Sequence, residues 1–163
     1  MRDVLSRTVR EEWGRLTALL LARFGRIDLV EDALGDAVEA AARHWPVDGV
    51  PDNPAGWLMT AARRRVLDRL RQESVARRAE PELVTQTDER PTMADPGGLV
   101  EDDLLRLVLM CAHPALPTES ASALSLRLVL GVSTHDIARL FLVSEPTMAA
   151  RITRAKKRIV GAG

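Results

Sequence analysis

The chain has 163 residues, of which 46% are apolar, so it is long enough for one domain or two small ones. With two Phe, three Trp and no Tyr, it lacks the aromatic content of proteins that stack successive nucleic-acid bases on ring platforms. Its 23 basic and 23 acidic side chains cancel, but a zero total leaves open a segregation of opposite charges along the chain.

The first half of the chain has apolar residues at helical spacing and no alternating strand pattern. The first helix is predicted over residues 3–25, with Gly25 ending it. A second is predicted over residues 28–44, with Asp28 as its N-cap and Glu31 three positions later as a carboxylate version of a capping box.

A turn-rich segment, His44–Asn53, is predicted to be a loop because it contains two Pro, a Gly and several turn-forming polar residues. Pro54 suits the first turn of a third helix that runs to about Val75. The three tryptophans occupy apolar helix positions or helix boundaries, which favours core packing over base stacking; they are Trp13, Trp45 and Trp57.

The second half begins with a stretch of different character. Residues 77–100 contain three Pro, a Gly-Gly pair and little apolar periodicity, so they are predicted to be a flexible acidic linker. Further helices are predicted at about 101–112, 118–130, 134–142 and from 145 onward. The sequence therefore predicts an all-α protein built of two small helical modules.

Charge is segregated among these segments. Residues 28–48 carry six acids against one Arg, whereas residues 58–78 carry seven Arg against two acids. Residues 79–103 hold eight acids, and residues 151–158 hold five cations and no acid. Basic helices attract nucleic-acid phosphates, although a single basic face is also compatible with ordinary solvation.

Residues 134–158 have the layout of a helix-turn-helix. Thr134 can cap a first short helix, and Ser144 can cap a second one that has Pro146 in its first turn. Leu142 occupies a turn position where Gly is common, so this turn must form without the conformational freedom of Gly. The second helix has an apolar face for the core and an outward face that can enter the DNA major groove.

No catalytic arrangement is evident in the sequence. It contains no nucleophile–base pattern, Gly-rich phosphate loop or HExxH motif, so we expect neither an enzyme nor a cofactor. Cys111 is the only cysteine, which excludes an intramolecular disulfide and a thiolate metal cluster; it is predicted to be a buried apolar residue. The charged N-terminus and the lack of a long apolar run predict a cytoplasmic protein that does not contact membranes.

Three segments in order resemble bacterial sigma-70-family factors of the extracytoplasmic-function class. Asn53–Arg71, NPAGWLMTAARRRVLDRLR, is similar to the promoter-melting segment of that family. Asp28–Trp45 is similar to its acidic core-polymerase-binding helix, and Ser144–Arg158 to its recognition helix for the upstream promoter element. The resemblance implies a transcription initiation factor whose partners are core RNA polymerase, through the β′ clamp and the β flap, and promoter DNA.

The resemblance divides the chain and assigns candidate residues. Residues 1–76 correspond to sigma region 2, residues 77–100 to the linker and residues 101–163 to sigma region 4. The implied core-polymerase contacts are Glu31, Asp32, Leu34, Asp36 and Val38. The implied contacts to the −10 element are Asn53, Trp57, Arg63, Arg64, Asp68 and Arg71. The implied contacts to the −35 element are Ser144, Glu145, Thr147, Ala150, Arg151, Arg154 and Lys157.

Two of these roles have structural alternatives. Either Asn53 or Asp52 reads the edge of an unstacked base, or both only shape the turn before Pro54. Asp68 either touches DNA or orients an Arg side chain. The spacing of the elements is compatible with one chain, since about 16 base pairs span roughly 55 Å and about 25 linker residues reach up to ~80 Å.

The sequences of Leu109–Leu116 and Phe141–Arg151 are similar to the corresponding segments of a subgroup that carries a C-terminal helical-repeat extension. The sequence ends at Gly163 without that extension, through truncation or natural absence. An anti-sigma protein or the extension is the regulator that the resemblance implies. The alternative functions are a stand-alone helix-turn-helix regulator that binds duplex DNA without polymerase, and an all-helical protein-interaction adaptor.

Overall fold

The structure is a computed structural model that describes residues 2–78 and 96–161. Over these ranges it is helical without any strand, which confirms the all-α prediction. Most of the predicted linker 77–100 lies outside the described residues. The helices are α1 (Arg2–Phe24), α2 (Ile27–Asp48), α3 (Pro54–Arg78), α4 (Pro96–Cys111), α5 (Thr118–Leu128), α6 (Thr134–Leu140) and α7 (Glu145–Val160).

The turn between α1 and α2 forms where the sequence places Gly25. Its φ of +64° lies in the left-handed region that Gly adopts without steric cost, and its N–H donates to the carbonyl of Leu21 at 2.8 Å. The predicted Asp28 cap is wrong, because α2 begins at Ile27 and Arg26 occupies the N-cap position without a side-chain cap. Asp28 instead pairs with Arg26 at 2.9 Å.

The end of α2 also differs from the prediction. The helix continues through Pro46 to Asp48 and ends at Gly49, whose φ is +90°, so the first part of the predicted His44–Asn53 loop is helical. Trp45 is 2% exposed in the core. Burial of this large side chain stabilises the last turn, and Pro46 removes only one backbone donor from it.

The first three helices enclose one hydrophobic core. Trp13, Leu16 and Leu20 of α1 pack with the apolar stripe of α2 and with Leu58 and Val66 of α3. All of these side chains are buried. Trp57 is only partly buried against this core, so the expectation of core packing holds fully for Trp13 and Trp45 and in part for Trp57.

The last four helices enclose a second core. It includes Leu107 and the fully buried Cys111 of α4, and burial raises the pKa of that thiol to about 11. Ala18 of α1 and Ile27 of α2 belong to the same core. Helix α1 therefore lies between the two cores and packs on both.

Candidate nucleic-acid interface

The start of α3 forms a capped turn beside an open cleft. Asn53 is exposed, and its Oδ1 accepts a hydrogen bond of 2.8 Å from the N–H of Gly56. A Cβ on Gly56 would lie 2.7 Å from the Asn53 amide nitrogen, so Gly56 leaves room for this cap. The cleft measures about 490 Å³, and its lining is Pro51, Asn53, Gly56, Trp57, Thr60, Ala61 and Arg64.

Trp57 is fixed at the wall of this cleft. Its ring packs edge-on against Trp45 of α2, with centroids 5.6 Å apart and planes at 74°. The edge-to-face arrangement is a favourable one for aromatic pairs. The cleft therefore combines an aromatic surface, an amide side chain and a guanidinium, which are the groups that contact an unstacked base and its phosphate.

The three Arg residues of α3 that were predicted to contact DNA divide into two groups. Arg63 and Arg64 are exposed, which leaves them accessible to phosphate. Arg71 is also exposed but lies 3.3 Å from Asp68 within the same helix. This contact supports the alternative in which Asp68 orients an Arg side chain.

The acidic side of α2 carries the predicted protein-binding residues. Asp32 and Asp36 are exposed by 63% and 40%, respectively, and each lies 3.0 Å from the guanidinium of Arg69 on α3. Val38 is partly buried. Leu34 and Glu31 are buried, so in this conformation neither is available to a partner. Leu34 supports α2 from inside the bundle, and Glu31 pairs with Arg127.

A second ion cluster lies at the start of α2. Arg26 pairs with Asp28 and also with Glu73 of α3, at 3.1 Å. Hydrogen bonds to Asp28 and then to Glu73 raise the pKa of the Arg26 guanidinium, and the Arg26 contact lowers the pKa of Asp28. The cluster ties the start of α2 to the distal end of α3.

Helices α6 and α7 form the predicted helix-turn-helix. Ser133, rather than the predicted Thr134, caps α6 by accepting a hydrogen bond from the Asp136 N–H. Ser144 caps α7 as predicted, through the N–H of Thr147. Leu142 in the connecting turn has a φ of +54°, which is the left-handed conformation expected where Gly is usual.

The two faces of α7 separate as the sequence predicts. Its buried residues are Met148, Ile152, Ala155 and Ile159. The residues predicted to face DNA are exposed, with the exception of Arg151. The exposed ones are Ser144, Glu145, Thr147, Ala150, Arg154 and Lys157.

Two of the predicted −35 residues already have partners within the protein. Arg151 is only 21% exposed and lies 2.9 Å from Glu119 of α5. Glu145 contacts the ring of His135 on α6 at 3.2 Å. Arg154 is exposed, and it is therefore the better placed of the two arginines for a phosphate contact.

Arg127, which was not among the predicted site residues, lies between the two halves of the chain. Its Nε donates to Glu31 of α2 at 2.5 Å and its Nη1 to the carbonyl of Val132 at 3.2 Å. Burial lowers the pKa of this guanidinium, and the charge of Asp32 opposes that effect. The signal available in the sequence was one cation within Leu124–Leu130, a run whose other residues are apolar except for Ser125.

The described residues hold no group of His, Cys, Asp and Glu side chains arranged to bind a metal ion. Among the described helices, none combines the length and apolar character needed to cross a membrane.

Comparison with known proteins assigns both halves of the chain. The family model described as Sigma-70 region 2 matches residues 8–75, and the model described as Sigma-70, region 4 matches residues 106–159. An uncharacterized protein of Rhizobium meliloti (strain 1021) is 43% identical over 148 residues, which are 88% of this chain and 35% of that protein. The chain thus spans about a third of the length of this curated relative.

Proposed function

The chain belongs to the sigma-70 family, as an extracytoplasmic-function-type factor, and on that premise we propose that it binds core RNA polymerase and directs it to promoters through their −10 and −35 elements. We assign residues 1–76 to core binding and −10 recognition, and residues 101–163 to −35 recognition. Residues 77–100 connect these two modules.

The observation that best supports this proposal is the pairing of two separate basic surfaces with one acidic one. Arg63 and Arg64 are exposed beside the Asn53 cleft, while Arg154 and Lys157 are exposed on the outer face of α7. Asp32 and Asp36 offer carboxylates on α2. A stand-alone duplex-binding regulator or a helical adaptor needs only one of these surfaces.

In the first module, the Asn53 cleft would hold an unstacked base of the melted −10 element. The amide can pair with a base edge and Trp57 can pack against a base or sugar. Arg63, Arg64 and Arg71 would contact backbone phosphates, whose neutralisation releases counterions.

In the second module, α7 would lie in the major groove of the −35 element. Ser144, Thr147 and Ala150 stand near its N-terminal end, where recognition helices contact base edges. Arg154 and Lys157 follow on the exposed face and would hold phosphates, which position the helix on the duplex. Arg151 would join them only after releasing Glu119.

Asp32 and Asp36 would dock on the β′ clamp, and the second module would contact the β flap. The protein itself would perform no catalysis, because RNA synthesis takes place in the polymerase. An anti-sigma protein or a C-terminal extension would be the regulator.

The test is run-off transcription with purified bacterial core polymerase. The template is fragmented genomic DNA of the bacterium that encodes the protein, and the 5′ ends of the transcripts are sequenced. We expect transcripts that start downstream of a common pair of sequence elements only when both the protein and core polymerase are present. Specific duplex binding without core, and no transcripts with it, would favour the stand-alone regulator. Failure to bind either core or DNA would favour the adaptor.

A further inference from the structure

Two open clefts adjoin at the turn between α1 and α2. The first lies between the start of α2 and α7 and measures about 460 Å³. The second lies between α1, α4 and the end of α7 and measures about 480 Å³. Gly25, Ile27 and Val160 line both clefts, so the two form one groove. Small-molecule sites commonly have this size and occur where two structural units meet.

The second cleft is the apolar end of this groove. Leu109 and Val160 are exposed by 61% and 65%, so both leave apolar surface in contact with water. His113 also lines this end, and its Nδ1 accepts a hydrogen bond of 3.1 Å from the N–H of Ala115. The other side chains that line it are all apolar; they are Leu21, Ile27, Met110 and Ile159. A hydrocarbon group bound here would gain free energy by covering this surface.

The first cleft contains positive charge from α7. Lys156 and Lys157 both line it. Lys156 forms an ion pair with Glu31, but the same buried carboxylate also pairs with Arg127, so one negative charge faces two cations. Lys157 is exposed and adds a further positive charge at the mouth of the cleft.

The two carboxylates that line the same cleft already have partners. Asp28 lies 2.9 Å from Arg26, and Asp32 lies 3.0 Å from Arg69. Each carboxylate is therefore offset by a guanidinium, whereas the α7 cations exceed the acid that they face. Charge complementarity favours an anionic group at this end of the groove.

We propose that the groove binds an amphipathic anion, with an acyl chain in the apolar cleft and a carboxylate beside Lys156 and Lys157. A mostly apolar wall with a few placed charges is typical of small-molecule sites. The volume of each cleft lies within the range of about 300–1,000 Å³ found for such sites. Lys157 is shared with the proposed −35 contacts, but the anion can be titrated into the protein alone, so the result does not depend on the proposed function.

The probe is dodecanoate, titrated into the full chain below its micelle-forming concentration and followed by calorimetry. We expect one site with a dissociation constant on the order of tens of micromolar. Decanoate should bind at least about tenfold more weakly, since each buried methylene group contributes about fourfold. Dodecyldimethylamine oxide and dodecyltrimethylammonium carry the same chain on an uncharged and a cationic head group, and both should bind at least about tenfold more weakly.

Substitutions at Val160 locate the site, because this exposed side chain lines both clefts. Val160→Glu places a like charge near the carboxylate and should weaken dodecanoate binding at least about fivefold. Val160→Lys should bind at least as tightly as the unaltered chain. The matched control is Val75→Glu, which makes the same change at a side chain 67% exposed on α3 and should leave the affinity unchanged. Circular dichroism should show the same helicity for all four proteins.

The remaining outcomes would each overturn the proposal. No binding of dodecanoate to the unaltered chain would exclude the site. Equal affinity for the three head groups would show an apolar surface without anion recognition. Equal affinity of Val160→Glu and Val75→Glu would place the probe elsewhere on the protein. A loss of affinity in Val160→Lys as large as that in Val160→Glu would show that the charge at this position does not matter.

Discussion

The guanidinium of Arg69 on α3 donates a hydrogen bond of 3.0 Å to the carboxylate of Asp32 on α2. The same guanidinium also donates to Asp36 at 3.0 Å. The acidic and the basic helix thus neutralise part of each other's charge where they meet. Arg63 and Arg64, which are exposed near the Asn53 cleft, do not belong to these ion pairs and remain accessible to phosphate.

Asp32→Arg should weaken binding to core polymerase by at least about tenfold, because it reverses a charge at the proposed clamp contact. Titration of fluorescently labelled protein with core polymerase measures this. The control is Glu39→Arg, which makes the same change on the same helix at a side chain 68% exposed. If both variants lose affinity equally, the loss reflects the overall charge of α2 and the Asp32 contact is wrong.

The role of Asn53 can be separated from its cap. Asn53→Ser keeps a capping oxygen and loses the amide edge, so we expect stability within about 0.5 kcal/mol of the unaltered chain but weaker binding of the holoenzyme to single-stranded −10 DNA. Asn53→Ala loses both and should also lower stability by about 0.5–2 kcal/mol. Thermal unfolding and oligonucleotide binding are the measurements. Unchanged DNA binding by Asn53→Ser would show that Asn53 only shapes the turn.

Arg154→Ala should lower the slope of log affinity against log salt for −35 duplex DNA by about 0.9, since one phosphate contact is lost. Affinity for core should stay the same. Arg10→Ala is the control, because it removes one exposed cation from α1, in the other module. An unchanged slope for Arg154→Ala would contradict the phosphate contact, and an equal decrease for Arg10→Ala would mean that net charge alone sets the slope.

The sequence predicted the elements that depend on neighbours along the chain. The Gly25 turn, the Ser144 cap and the buried face of α7 could be predicted, because periodicity and capping depend on residues only a few positions apart in the sequence. The end of α2 was not, since burial of Trp45 overrides the breaking effect of Pro46. Glu31 was interpreted as part of a capping box, whereas it pairs with Arg127, 96 positions away, and no local pattern encodes a pairing between distant helices.

Cys111 should be unreactive toward Ellman's reagent in the native protein. Burial raises the pKa of its thiol to about 11, so only about one molecule in a thousand holds a thiolate at pH 8. We expect full reaction of one thiol per chain within minutes in 6 M guanidinium chloride, and less than about a tenth of it in buffer over the same time. Equal rates would contradict burial in the core of the second module, and this is the sole cysteine that could react.

Leu142→Gly should stabilise the protein. The residue has a φ of +54° and its side chain is 93% exposed, so Gly relieves backbone strain and removes almost no packing. The left-handed conformation costs a non-Gly residue about 1–2 kcal/mol, part of which the greater freedom of Gly in the unfolded chain offsets. We expect a net gain of about 0.5–1 kcal/mol and a rise in Tm of about 1–4 °C.

Leu140→Gly is the matched control for this gain. It lies two residues earlier, is 67% exposed and ends helix α6, where Gly is unfavourable by up to about 1 kcal/mol. Calorimetric Tm values should therefore move in opposite directions for the two variants. A decrease for both would mean that the exposed Leu142 side chain contributes more than its backbone costs, as it would if it contacted another part of the molecule.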